Sequence, residues 1–165
     1  MLIPNWLLAS VLNCPKDNQP RLMCADWLEI EGRQPQYAEF IRIQCLLDSA
    51  TTGTCHLKQC HFSYTCPACR KLSRQEMGFL QAFARSWFHL PCEKDADWIY
   101  GLSQPGWTGT SRLPSSNLHH LFAIVNRGFV ETIYVRLQDW FYHGADIAQN
   151  QPIEKVILQT EHNYL

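Results

Sequence analysis

Cys55, Cys60, Cys66 and Cys69 fall within the fifteen-residue stretch CHLKQCHFSYTCPAC, half of the chain's eight cysteines, with His56 and His61 beside two of them. Their spacing is C-x4-C-x5-C-x2-C. Zinc takes four soft or borderline ligands in a tetrahedron, and Cys66-Pro67-Ala68-Cys69 is a knuckle that supplies two of them from one tight turn. Cys55 and Cys60 supply a second pair at the wide end of the usual spacing, and the short x5 between the pairs makes a compact loop clip. An all-cysteine ligand set leads. His56 and His61 are the alternates, since a Cys-His dipeptide lets either residue turn inward. Three rival chemistries are weaker. A redox C-x-x-C opens a helix behind a strand, whereas a loop is expected ahead of Cys66. A disulfide needs an oxidising compartment that nothing else supports. An iron–sulfur cluster also uses four thiolates, but in other spacings. Four thiolates leave no open coordination position, so the expected Zn2+ is structural rather than catalytic.

Lys58, Arg70, Lys71 and Arg74 surround the cluster, and no acid lies between residues 49 and 75. With Phe62 and Tyr64, such a loop could touch phosphate and stack on a base. The simpler reading is favoured: the cations offset the −2 charge of a tetrathiolate zinc site. A net charge of −1 supplies no wider basic face for nucleic acid. Elsewhere the chain has no G-x-S-x-G, P-loop, H-E-x-x-H or dinucleotide fingerprint. Asp139, His143 and Cys92 have no spacing that makes them a catalytic set. Cys24 and Cys45 lie in helical apolar stripes, where a thiol behaves as a small hydrophobe. The expectation is a non-enzyme with no small-molecule substrate.

The elements that must position these residues follow from length and periodicity. A chain of 165 residues with 46% apolar content fits one folded domain. No apolar run approaches a membrane span, and the N-terminus lacks the basic region and cleavage site of a signal peptide, which points to the cytoplasm. Residues 4–13 suit a short helix. A second helix over KDNQPRLMCADWLEIEG has Asp17 or Asn18 as its cap, Gly32 as a left-handed stop, and a broad buried stripe of Met23, Trp27 and Ile30 with Leu22, Ala25 and Leu28 beside them. A third follows Pro35 with Tyr37, Ile41 and Cys45 on one side. Residues 51–72 then form the zinc loop, after the polar loop signal DSATTGT at 48–54. A capping box, Ser73 to Glu76, opens a helix over 73–90 with Met77, Leu80, Ala84 and Trp87 in register. Residues 91–117 read as an irregular loop whose Trp98, Tyr100 and Trp107 are candidate anchors for a partner. The last third, 118–165, changes period. HLFAIV and FVETIYVRL are strands around an Asn126-Arg127-Gly128 turn, followed by a helix and the strand IEKVILQ, a strand–helix–strand crossover of leucine-rich-repeat length. The fold class is therefore α+β.

Two stretches carry a resemblance. PRLMCADWLEIEGRQPQYAEFIRIQCLL resembles a bacterial repeat-companion domain whose motif runs R-L-x-x-A-D-W-L-E-E-x-G, then A-E-F-I-R-L-Q. The matching positions are Arg21, Leu22, Ala25, Asp26, Trp27, Leu28, Glu29, Gly32, Ala38, Glu39, Phe40, Ile41, Arg42 and Gln44. RGFVETIYVRLQDWFYHGADIAQNQPIEKVIL resembles the later segment of the same family, some members of which carry a cysteine-rich insertion between the two. The family often accompanies leucine-rich or other repeats. The resemblance implies an interaction module, here a stand-alone one serving as an accessory, adaptor or inhibitor subunit with a protein partner. Within the motif, Asp26 is expected to pair with Arg42 and Glu39 with Arg21, while Trp27 and Phe40 fill the helix–helix seam.

Overall fold

The structure, a computed structural model, describes residues 3–51, 66–92, 97–102 and 120–159. Four helices come first: α1 (Asn5–Asn13), α2 (Asn18–Ile30), α3 (Pro35–Thr51) and α4 (Pro67–Phe88). Strands β1 (Asp97–Leu102), β2 (His120–Asn126) and β3 (Phe129–Arg136) follow, then α5 (Leu137–Asn150) and β4 (Lys155–Gln159). The strands form one sheet in chain order, with β1 parallel to β2, β2 antiparallel to β3, and β3 parallel to β4. The fold is α+β, with the expected hairpin and strand–helix–strand crossover in place. Among the described residues, no helix is long and apolar enough to cross a membrane.

Local chemistry sets the helix ends, though not always at the expected residue. Asp17 caps α2, its Oδ1 accepting the Gln19 N–H at 2.9 Å. The left-handed position after α2 is Arg33, at φ +50°, and not Gly32. Gly32 is small for another reason: a Cβ there would stand 2.9 Å from the Trp27 ring. α3 continues to Thr51, through polar residues expected as loop. α4 opens at Pro67, which takes the first helical position because its missing N–H costs nothing there. Ser73 and Glu76 therefore lie inside the helix and form no capping box. Glu76 turns into the protein instead.

The buried stripe of α2 keeps Ala25 and Leu28 of the expected one but is turned away from Met23 and Ile30. Met23 and Ile30 are 42% and 72% exposed and Trp27 is half-buried, whereas Arg21, Cys24, Ala25 and Leu28 face inward. Small residues on the inner side let neighbouring backbones approach, and Phe40 and Ile41 of α3 fill the seam that results. One apolar core then runs from Leu7 and Val11 through α3 and α4 to β2, β3 and Ile147. Tyr37 stacks on Trp87 within it, ring centroids 4.7 Å apart. Trp98 belongs to this core as well. Residues 97–102 form a strand inside the stretch expected to be irregular, because β2 offers them a parallel partner that no local pattern announces.

The β2–β3 hairpin is locked into the helical layer. Arg127 and Gly128 have φ of +49° and +87°, the two positive values that a two-residue hairpin turn of the primed type requires. Gly128 has no room for a side chain, since a Cβ would meet Ile41 at 2.3 Å. Its carbonyl accepts the Tyr37 hydroxyl at 3.0 Å, and its N–H donates to Gln44 Oε1. Two residues on, the register of the hairpin slips, leaving Glu131 unpaired in the ladder as a bulge residue. The bulge aims Glu131 at Arg21.

Candidate functional site

Arg21 is fully buried. Its guanidinium donates to Glu131 Oε1 at 2.8 Å and to the carbonyls of Pro15 and Arg127, and it lies 5.2 Å from the Phe129 ring centroid. Arg127 donates to the same Oε1 at 2.8 Å, and the Asn126 amide donates to Oε2 at 2.9 Å. Burial pushes the Glu131 carboxyl up, and the two guanidiniums and the Asn126 amide pull against it. Glu39, expected to pair with Arg21, is exposed instead. Arg42 does pair with Asp26, at 2.8 Å, and also with Glu29, at 2.6 Å, on the surface. The Arg21 cluster draws its hydrogen bonds from the protein itself, with Arg21 Nε and Arg127 Nε left without a partner among the described residues, and it ties the hairpin to the helices.

Of the expected zinc ligands, Cys55, Cys60, His56 and His61 lie outside the described residues, as does Lys58. Cys66 and Cys69 are described. Cys66 is the N-cap of α4 and is half-buried; Cys69 lies in the first turn and is 1% exposed. The pair thus opens a helix, which meets half of the geometry that a redox C-x-x-C shares with a zinc knuckle. Among the described residues alone, no three His, Cys, Asp or Glu side chains stand close enough to hold a metal. Cys24 and Cys45 are buried, and burial pushes both thiols up to about 12, far from thiolate chemistry at neutral pH. Asp139 is buried and bonded to Arg136.

Three kinds of surface remain. Arg70, Lys71 and Arg74 are exposed on the first two turns of α4, where i, i+3 and i, i+4 spacing gathers them on one side. The aromatic anchors expected at 91–117 do not form a surface. Trp98 is core, with its indole N–H donated to the Pro91 carbonyl at 3.2 Å; Tyr100 is half-buried against Phe88; Trp107 lies outside the described residues. The exposed large apolar side chains are elsewhere. Met23 and Ile30 stand at i and i+7 on α2, with the half-buried Trp27 between them and the Asp26–Arg42–Glu29 cluster nearby. A second group, Leu137, Phe141, Tyr142 and Leu158, lines a surface groove of about 680 Å3 where α5 begins and β4 ends. Neither group is announced by motif. The α2 stripe is visible in the sequence as a periodicity whose direction the sequence does not give. Compared with family models, curated proteins and solved structures, the chain matches none.

Proposed function

We propose that the chain is a non-enzymatic protein–protein interaction module of the cytoplasm, an accessory, adaptor or inhibitor subunit that presents α2 to its partner. The observation that carries this reading is the exposure of Met23 and Ile30, two turns apart on α2 with the half-buried Trp27 between them, on a helix whose small residues and one arginine face the core. Exposed apolar side chains with a charged cluster nearby suit a protein partner, and the spacing suits an amphipathic segment lying along the helix. Membership of the repeat-companion family is consistent with it. The two segments that carry the resemblance touch through Arg21, Tyr37 and Gln44, as parts of one shared fold must.

Zinc remains part of the proposal, held by Cys55, Cys60, Cys66 and Cys69. Its support is that Cys66 and Cys69 sit three residues apart at a helix start, where a C-x2-C knuckle can direct two thiolates to one side. The metal would be structural, joining α3 to α4. The alternative function, a nucleic-acid accessory protein, draws on the exposed cations Arg70, Lys71 and Arg74 beside that pair. Quantitative capture from the host separates the two. A bait carrying Met23→Asp and Ile30→Asp should lose its protein partner at least tenfold while keeping its thermal midpoint, because neither side chain is buried. Equal capture by the variant would overturn the assignment to α2.

A further inference from the structure

The groove beside β4 is a different face from α2, and it carries an inference independent of the one above. β4 is the last strand of the sheet, and among the described residues nothing pairs with its outer edge. Its sequence, KVILQ, is apolar at three consecutive positions. An edge of this kind is normally blunted by charge, proline or a bulge. Here the only charge on the strand is Lys155. Directly beside the strand's end, Phe141 is 81% exposed, Leu137 and Tyr142 more than half exposed, and Leu158 nearly half. The groove they line has one charged member, Arg136, and its guanidinium is already bonded to Asp139.

We infer that this face is an interface between two copies of the chain, with β4 pairing against β4 about a two-fold axis. A second copy supplies both things the face lacks, an unpaired strand edge and an apolar surface. A helix or a small apolar ligand would cover the groove and leave the edge open. Antiparallel pairing centred on Ile157 sets Val156 opposite Leu158 and Lys155 opposite Gln159, so the two lysines never meet. The area is adequate as well. The four exposed side chains offer roughly 500 Å2 per copy, given the 150–250 Å2 that an aromatic side chain can bury. Two copies would remove roughly 1,000 Å2 before the strand backbones are included, against about 1,200–2,000 Å2 in a stable interface. The dimer would carry one continuous eight-stranded sheet, and its two α2 faces would stay open to partners.

Mass by sedimentation equilibrium or light scattering, on metal-replete full-length chain between about 1 and 200 μM, tests this. The wild type should approach twice its 19.2 kDa chain mass as concentration rises. Two variants, Phe141→Asp and Leu158→Lys, should each weaken the association at least tenfold with unchanged circular dichroism. Either variant suffices if the other proves unstable. A wild type at chain mass throughout would overturn the proposal, whether the groove is then filled by another protein or by the chain's own last residues. A dimer that neither substitution weakens would overturn it too, since the contact would lie on another face.

Discussion

Arg21 shows how a residue that reads as surface in the sequence becomes the centre of the protein. Its stem lies in line with Cys24, Ala25 and Leu28, and its head meets a carboxylate 110 positions away. Periodicity makes the α2 stripe broad enough to include both Met23 and Ile30, which are exposed, and Ala25 and Leu28, which are buried, because single-residue apolarity says nothing about which side of a helix needs close approach. The Arg42 pair with Asp26 was legible, being a matter of adjacent helices in one motif. The Arg21 pair was not, because the bulge that aims Glu131 depends on sheet register. The two pairs should behave differently on truncation. Arg21→Ala leaves Glu131 buried with one guanidinium fewer and should cost about 3 kcal/mol, read as a lower urea midpoint at constant slope. Arg42→Ala breaks an exposed pair and should cost less than about 1 kcal/mol. Equal losses would mean that Arg21 is not the lock.

Glu76 supplies a second prediction at this scale. Its carboxyl is buried in α4 with one neutral donor, the Gln44 amide at 2.9 Å, and burial pushes its pKa up to about 7. The unfolded chain releases that proton near 4.5, so between the two values the folded state holds more protons. This group's contribution is therefore most favourable below pH 4.5, declines as pH rises through 7, and is constant above. Glu76→Gln keeps an acceptor for Gln44 and removes the charge. It should be nearly neutral for stability at pH 4.5 and stabilising by on the order of 3 kcal/mol at pH 8, from a shift of that size. Urea unfolding of both proteins at the two pH values checks it, and a difference independent of pH would contradict the burial of an ionisable Glu76.

At the scale of elements, the order helix, helix, helix, helix, hairpin, helix, strand followed well from caps, prolines and periodicity. The exceptions share one cause, that tertiary partners override local signals. β1 exists because β2 lies beside it, and α4 passes through a good capping box because Gln44 binds Glu76 more usefully inside the fold. The proline in CPAC marks the start of α4 at the first helical position. That start now joins the cysteine pair to the longest described helix, so metal removal should be felt along α4. Purified chain should contain about one zinc per molecule, and a chelator should lower the thermal midpoint and the helical circular dichroism together. Folded protein that is metal-free as isolated would sink the zinc assignment.

At the scale of the whole molecule, the polar cluster around Glu131, the Gln44 bridge and the Tyr37–Gly128 bond pin the hairpin to the helices. Two exposed apolar faces, on α2 and beside β4, stand apart from the cationic start of α4. The periodicity of α2 was legible without its direction, and the face of Leu137, Phe141, Tyr142 and Leu158 was not legible at all, because both depend on how α2 and α5 roll against the core. The most direct measurement is host capture with three baits compared by quantitative mass spectrometry: wild type, Met23→Asp/Ile30→Asp, and Arg70→Glu/Lys71→Glu/Arg74→Glu. The α2 variant should lose the principal protein partner at least tenfold, and the α4 variant should keep it through nuclease treatment. A partner kept by the α2 variant but lost by the α4 variant, or lost on nuclease treatment, would contradict the assignment and move the function to the basic face of α4.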